Sequence, residues 1–433
     1  MGKAFLRAIE SGKTYSIDEK RFESDSGELL EVAYEFGSMD TKALKEKFAQ
    51  RGSSQNPLDK SGVWRFRELI PFMRSETNVV SLSEGNTPIY SAPKSASYAG
   101  VKKLSFKHQG LNPTGSFKDN GMTAAVSKAK ELGSKTVVCA STGNTSASMA
   151  AYASRAGMNA LVIIPSGQIA MGKLAQALDY GAKTIQIDGD FDDAMRIVQE
   201  LAEEKSVYLL NSINPFRLEG QKTIMIEMLC QRNWKVPDRV VVPGGNLGNS
   251  SSFGKAFKEL RELGFIETIP KITIVQAEGA APLYNMWKNK SKKLEPVKAH
   301  TLATAIKIGN PVSWQKAMNV LEYTKGSAAV VSEKEIADAK AIIGSDGIGC
   351  EPASATTLAA IKNLAGNGID EGEDIVAILT GNSLKDPQYT VDYHSDSLFE
   401  EFEGKKKKIS AAYANKPIQL PADAKKIKHE VGL

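Results

Sequence analysis

The chain has 433 residues, of which 42% are hydrophobic and 24% charged, with a formal net charge of +5. That length suits about two or three packed domains, and the composition is that of an ordinary globular protein. The positive excess is spread along the chain and makes no nucleic-acid-binding face. The one basic run, Lys405 to Lys408, follows the acidic Glu400-Glu401-Phe402-Glu403 and reads as a solvated segment.

The cysteines, Cys139, Cys230 and Cys350, are too widely spaced for a disulfide framework or a metal site. The histidines, His108, His300, His394 and His429, lack metal-ligand spacing. No apolar run reaches membrane-spanning length, and the start of the chain lacks the apolar stretch of a secretory signal. The expectation is a reduced, cytoplasmic protein with neither membrane nor nucleic acid as partner.

In chain order, Ser26-Gly27 stands between two β-prone runs, Lys20-Arg-Phe-Glu23 and Leu29 to Phe36, and predicts a hairpin. Thr41 to Gln50 predicts a short helix with Thr41 near its cap. The amphipathic, aromatic run Gly62 to Ile70 suits packing, and Ser83-Glu-Gly-Asn-Thr-Pro88 is turn-rich. From residue 101 strands and helices alternate. Strands are expected at Leu104–Lys107, Thr136–Ala140, Ala160–Ile164, Thr184–Ile187, Val207–Leu210, Arg239–Val242, Ile272–Val275 and Ile375–Leu379. Helices are expected at Met122–Leu132, Ala147–Ala156, Met171–Tyr180 and Asp192–Glu203. Short apolar runs alternating with helices indicate parallel sheet covered on both faces. The fold class is α/β, as two sheets around one cleft.

In such sheets ligands bind beyond the carboxyl ends of strands, beside helix N-termini. Several polar stretches fall at those places. Asn112-Pro-Thr-Gly-Ser-Phe-Lys118 sets a lysine between a turn and a helix start, where desolvation and the helix donors lower an amine pKa and suit Schiff-base chemistry. Taken alone, Lys118 reads rather as an exposed first-turn lysine; the stretches that follow overturn that reading. Ser141-Thr142-Gly143-Asn144 follows a strand and opens a helix. Gly244-Gly245-Asn246-Leu247-Gly248-Asn249 does the same, and closely spaced glycines let backbone N–H groups converge on one phosphate. It matches neither the Walker loop nor Gly-x-Gly-x-x-Gly. Asn211-Ser212-Ile-Asn-Pro-Phe-Arg217 offers an arginine beside short polar side chains for a second anion; a surface turn stays open on the residues alone. Thr380 ends the last strand with its hydroxyl at the same level. A Schiff-base lysine, a phosphate cup, a polar asparagine loop and a strand-end hydroxyl together point to pyridoxal 5'-phosphate.

On these stretches the chain resembles the fold type II, tryptophan-synthase-β-like pyridoxal phosphate enzymes, from about Ser83 through Asp386. Asn211 to Thr223 resembles the threonine synthases among them. The resemblance implies two doubly wound α/β domains with the cofactor between them, in a homodimer. The expected division is a large cofactor-binding domain from 83–118 and 216–400, and a small α/β domain at 119–215. Residues 1–82 would pack on the large domain, and 401–433 would form an extension.

Residue by residue, Lys118 resembles the lysine that bonds the cofactor, Asn144 the residue at its 3′ oxygen, and Thr380 the hydroxyl at its pyridine nitrogen. Gly245, Asn246, Leu247, Gly248 and Asn249 resemble its phosphate loop. Ser141 and Thr142 would bind the substrate carboxylate, and Asn211, Ser212 and Arg217 the substrate phosphate. The implied reaction turns O-phospho-L-homoserine and water into L-threonine and phosphate, by γ-elimination and β-addition of water. A dehydratase or β-replacement synthase of the same fold is the alternative, and the run around Arg217 argues against it.

Two departures stand out. Many relatives have arginine where Asn120 stands. Some carry a cysteine knuckle before a run like Gly27-Glu-Leu-Leu-Glu-Val32, but this chain has no cysteine there, so no zinc is expected.

Overall fold

The structure is a computed structural model that describes residues 2–166 and 171–433. The strands, in chain order, begin with β1 (Lys3–Ala8), β2 (Thr14–Ser16), β3 (Leu30–Glu35), β4 (Ile89–Ser91) and β5 (Lys103–His108). They continue with β6 (Thr136–Ala140), β7 (Asn159–Pro165), β8 (Lys183–Ile187), β9 (Val207–Leu209) and β10 (Arg239–Pro243). The last are β11 (Lys271–Ala277), β12 (Ser327–Val331), β13 (Asp374–Leu379), β14 (Phe399–Phe402) and β15 (Lys405–Lys408).

Two sheets carry the fold. The larger runs β12-β11-β10-β13-β5-β4, parallel except for the edge strand β4. The smaller runs β8-β7-β6-β9, all parallel. The central strands are apolar at nearly every position, as burial on both faces requires: Val240, Val241 and Val242 in β10 and Ile375 to Leu379 in β13 are all fully buried. The expected strands are present, most of them one or two residues longer. The short edge strand β4 and the alanine-bearing Ser327-Ala-Ala-Val-Val331 add to the larger sheet unannounced by the sequence reading.

The helices Lys118–Glu131 and Pro215–Gln231 pack tightly where small residues face each other. A Cβ built on Gly220 would lie 1.8 Å from the Asn120 carbonyl oxygen, so only glycine allows this approach. The lysine-bearing helix is thereby fixed against the helix that carries Arg217.

The N-terminal hairpin expectation is corrected. β3 pairs along its whole length with β1, from Lys3↔Glu35 to Ala8↔Leu30, and Glu23 makes only an isolated bridge to Leu29. The reason is burial: Leu30 and Val32 need an apolar partner, which Leu6 and Ala8 supply and the charged Lys20-Arg-Phe-Glu23 run does not. The short helix spans Thr41–Arg51, with Asp40 as its cap and Thr41 directly after it, as expected. Residues 2–35 touch both halves of the molecule. Lys255 and Lys316 donate to the carbonyls of Val32 and Leu30, and Lys20 donates to the carbonyls of Ala202 and Val207. The basic run Lys405–Lys408 is exposed throughout and pairs with Phe399–Phe402 as a hairpin. No helix among the described residues is long and apolar enough to cross a membrane.

Candidate active site

Strand order decides where a ligand sits. In the smaller sheet the chain leaves β6 toward β7 and β8, then returns to add β9 on the other side. In the larger sheet β13 is inserted between β10 and β5. Loops at such switch points diverge and leave a crevice at the carboxyl ends of the strands. The loops after β5, β6, β9, β10 and β13 carry all the site residues expected from the sequence.

The lysine loop is tied directly to the end of β13. The Phe117 N–H donates to the Thr380 carbonyl at 3.0 Å, the Asn382 N–H donates to the Gly115 carbonyl at 2.9 Å, and Ser116 bridges Gly381. Gly115 takes φ +83°, which lets the chain turn into the helix. Lys118 is the first residue of that helix. Its Nζ lies 4.1 Å from the centre of the Phe117 ring and forms no ion pair among the described residues. Burial, then the nearby Arg217 cation, pull its amine down to about 7, and Glu351 offsets this in part. Other buried lysines differ. Lys107 and Lys128 each hold a carboxylate, Glu227 at 2.5 Å and Glu131 at 2.7 Å respectively. Lys118, half-buried, has no such counter-ion among the described residues.

Asp119, the next residue, is buried and accepts from the Thr114 hydroxyl at 2.6 Å and the Ser148 hydroxyl at 2.5 Å. Burial raises its carboxyl to about 6. Asn120 is buried with Oδ1 unpartnered.

Asn144 opens the helix Asn144–Ala156, and Thr380 follows β13. They belong to different sheets yet meet on one residue. The Asn144 amide donates to Glu351 Oε2 at 2.9 Å, and the Thr380 hydroxyl donates to Glu351 Oε1 at 2.9 Å. The Ser354 hydroxyl also accepts the Thr380 backbone N–H at 2.8 Å. Glu351 is buried, and burial raises its carboxyl above the usual range.

The glycine loop after β10 folds as a cup. Leu247 takes φ +65° at the start of the helix Gly248–Glu262, a conformation costly for a side-chain-bearing residue that turns successive amides the same way. Cβ atoms on Gly245 and Gly248 would press on the Ala305 carbonyl at 3.3 Å and on Gln221 Oε1 at 3.2 Å. Asn246 is anchored by accepting the Ser313 N–H through its carbonyl at 3.2 Å. Asn249 is buried with Oδ1 unpartnered.

After β9, Arg217 lies in the first turn of the helix Pro215–Gln231, capped by Asn214. One guanidinium nitrogen donates to the Leu210 carbonyl at 3.1 Å, while the buried Nε has no partner among the described residues. Burial lowers its pKa to about 10. Ser212 is half-buried in the same loop. The Asn211 amide is engaged with the end of β6, accepting from the Ala140 N–H at 3.0 Å and donating to the Ala140 carbonyl at 3.2 Å. These bonds tie the loop after β9 to the end of β6. Ser141 and Thr142 are half-buried before the helix start, where free backbone donors suit a carboxylate.

The model of the pyridoxal-phosphate dependent enzyme family matches residues 80–381. The threonine synthase of Methanocaldococcus jannaschii is 48% identical over 388 residues, which cover 89% of this chain and 94% of that protein. The chain belongs to the threonine synthase family of pyridoxal-phosphate dependent enzymes. The threonine synthase of Methanosarcina acetivorans is 45% identical over 391 residues, covering 89% and 93% of the two chains. The solved threonine synthase of Escherichia coli aligns with a TM-score of 0.69 over 89% of this chain and 90% of its own, at 17% identity, and shows the shared fold.

The residues fit the cofactor of a threonine synthase. An uncompensated amine, a glycine cup beside a helix start, and the unpartnered Asn249 oxygen and Arg217 Nε are what an aldehyde and anions would complete. Glu351 escaped the sequence reading. Its signal was a glutamate directly before a proline at a helix start, a cap position that rarely takes glutamate.

Proposed function

We propose that this protein converts O-phospho-L-homoserine and water to L-threonine and phosphate. The reading rests chiefly on the Lys118 amine, brought to about 7 beside a buried arginine that retains a free donor. When bound, pyridoxal phosphate supplies the electron sink for charge developing at the substrate's α-carbon. Lys118, its amine brought down to about 7, is the base that removes the α proton. Gly245 through Asn249 hold the cofactor phosphate, Asn144 faces its 3′ oxygen and Thr380 its pyridine nitrogen. Ser141 and Thr142, with the amides of the helix start behind them, hold the substrate carboxylate. Arg217, with Asn211 and Ser212, stabilises the departing phosphate, and the bonds of Asn211 to the Ala140 backbone order the loop that carries them. A reaction that expels phosphate needs this second anion site, and elimination of water from an unphosphorylated amino acid does not.

The test is incubation with O-phospho-L-homoserine, with phosphate and threonine assayed together. Equimolar release of both is expected; phosphate accompanied by a 2-keto acid instead of threonine would reassign the protein to the dehydratases. We further infer a cytoplasmic homodimer, and two lobes, 83–118 with 216–400 and 119–215, with the cofactor in the cleft between them. Sedimentation at the mass of a single chain would refute the dimer.

A further inference from the structure

We propose that Glu351 is a positioning residue for the cofactor ring, holding Asn144 of the smaller sheet and Thr380 of the larger at opposite oxygens of one carboxyl group. The inference rests on the reading that Asn144 and Thr380 face the ring. It adds a residue that the sequence motifs leave out, and it explains how two loops from separate sheets are kept in register across the crevice.

Glu351 stands at the N-terminal end of the helix Pro352–Leu364, where the helix field favours a carboxylate. It forms no side-chain cap on that helix. Its oxygens instead take the Asn144 amide and the Thr380 hydroxyl, each at 2.9 Å. The same turn supplies Ser354, whose hydroxyl accepts the backbone N–H groups of Thr380 at 2.8 Å and Gly381 at 3.2 Å. Gly381 is glycine because a Cβ there would lie 2.3 Å from the Glu351 carboxyl carbon. The carboxyl is therefore seated against backbone on one side and hydrogen-bonded on the other, with little room to turn.

Both bonds run toward the carboxyl group, from the Asn144 amide to Oε2 and from the Thr380 hydroxyl to Oε1. That fixes the orientation of the amide and the direction of the hydroxyl, and hence what each offers to a ring beside it. Glutamine in this place would present a donor to one of the two and reverse or break that bond. Alanine would release both.

The test measures pyridoxal phosphate binding to apoprotein, together with the visible absorbance of the loaded protein, for wild type, E351Q, E351A, N144A, T380V and N144A/E351A. E351A is expected to weaken cofactor binding about tenfold or more, the scale of lost charge-assisted hydrogen bonds. E351Q, which keeps the shape and one acceptor, should lose less and shift the absorbance band. In the N144A background the effect of E351A should shrink, because part of the coupling is already gone.

Wild-type affinity and spectrum in E351Q, with N144A and T380V both impaired, would overturn the role of Glu351 alone. An undiminished effect of E351A in the N144A background would do the same. Wild-type binding in N144A and T380V would overturn the reading of the ring-facing residues, and the proposal with it. Should E351A fail to fold, E351Q still decides the matter.

Discussion

Replacing Lys118 by alanine is expected to lower turnover by roughly 10³-fold or more, the upper range for removing a positioned base. The folded protein should survive the change, because the amine makes no ion pair and its burial opposes the charged form. The sign of the pH effect follows from the same burial. The native amine titrates at about 7, whereas an unfolded lysine titrates at about 10.4. Between those values the unfolded apoprotein holds the extra proton, so this group's contribution makes stability rise with pH across that window. K118A should lack that component. In the wild-type enzyme activity should climb as pH passes about 7 and the amine loses its proton. The measurement is kcat with phosphohomoserine across pH 6 to 9, beside apoprotein melting temperatures. Substantial turnover in K118A would remove the lysine from the mechanism.

Replacing Arg217 by alanine should act selectively on the phosphorylated substrate. A hydrogen bond to a charged group contributes about 1.5–3 kcal/mol, so kcat/KM for phosphohomoserine should fall roughly 10- to 100-fold. An unphosphorylated homoserine analogue should be bound with little change, and equal losses on both would refute the clamp. R217K retains the cation but not the planar fork and is expected to recover only part of the loss. A second readout is electrostatic. The Arg217 cation helps to depress the Lys118 amine, so its removal should move the acid limb of the pH profile upward. A phosphate contact remote from Lys118 would leave that limb in place.

The parts of this site that the sequence disclosed are those built by neighbouring residues. Asn112 to Lys118 is one turn leading into one helix, and Gly244 to Asn249 is one strand-to-helix loop, so turn chemistry and apolar runs suffice to place them. Contacts set by tertiary packing were hidden. Glu351 meets Asn144 across 207 positions, and nothing local to either residue encodes the pairing. The insertion of β13 between β10 and β5 is likewise a long-range choice, although both flanking strands were individually plain. β3 illustrates a different failure. Turn residues at Ser26-Gly27 suggested the nearest partner, while the buried face of Leu30 and Val32 selected β1. The bonds of Asn211 to the Ala140 backbone, 71 positions away, were equally hidden from the sequence.

The central claim is that the lysine at the junction of β13 and the helix Lys118–Glu131 is the cofactor-bonding residue of this threonine synthase family member. It is tested most directly by loading the protein with pyridoxal phosphate, reducing with borohydride and mapping the modified peptide by mass. The account predicts one stoichiometric adduct, on Lys118. An adduct on another interior lysine such as Lys107 or Lys222, or full retention of cofactor in K118A, would contradict it.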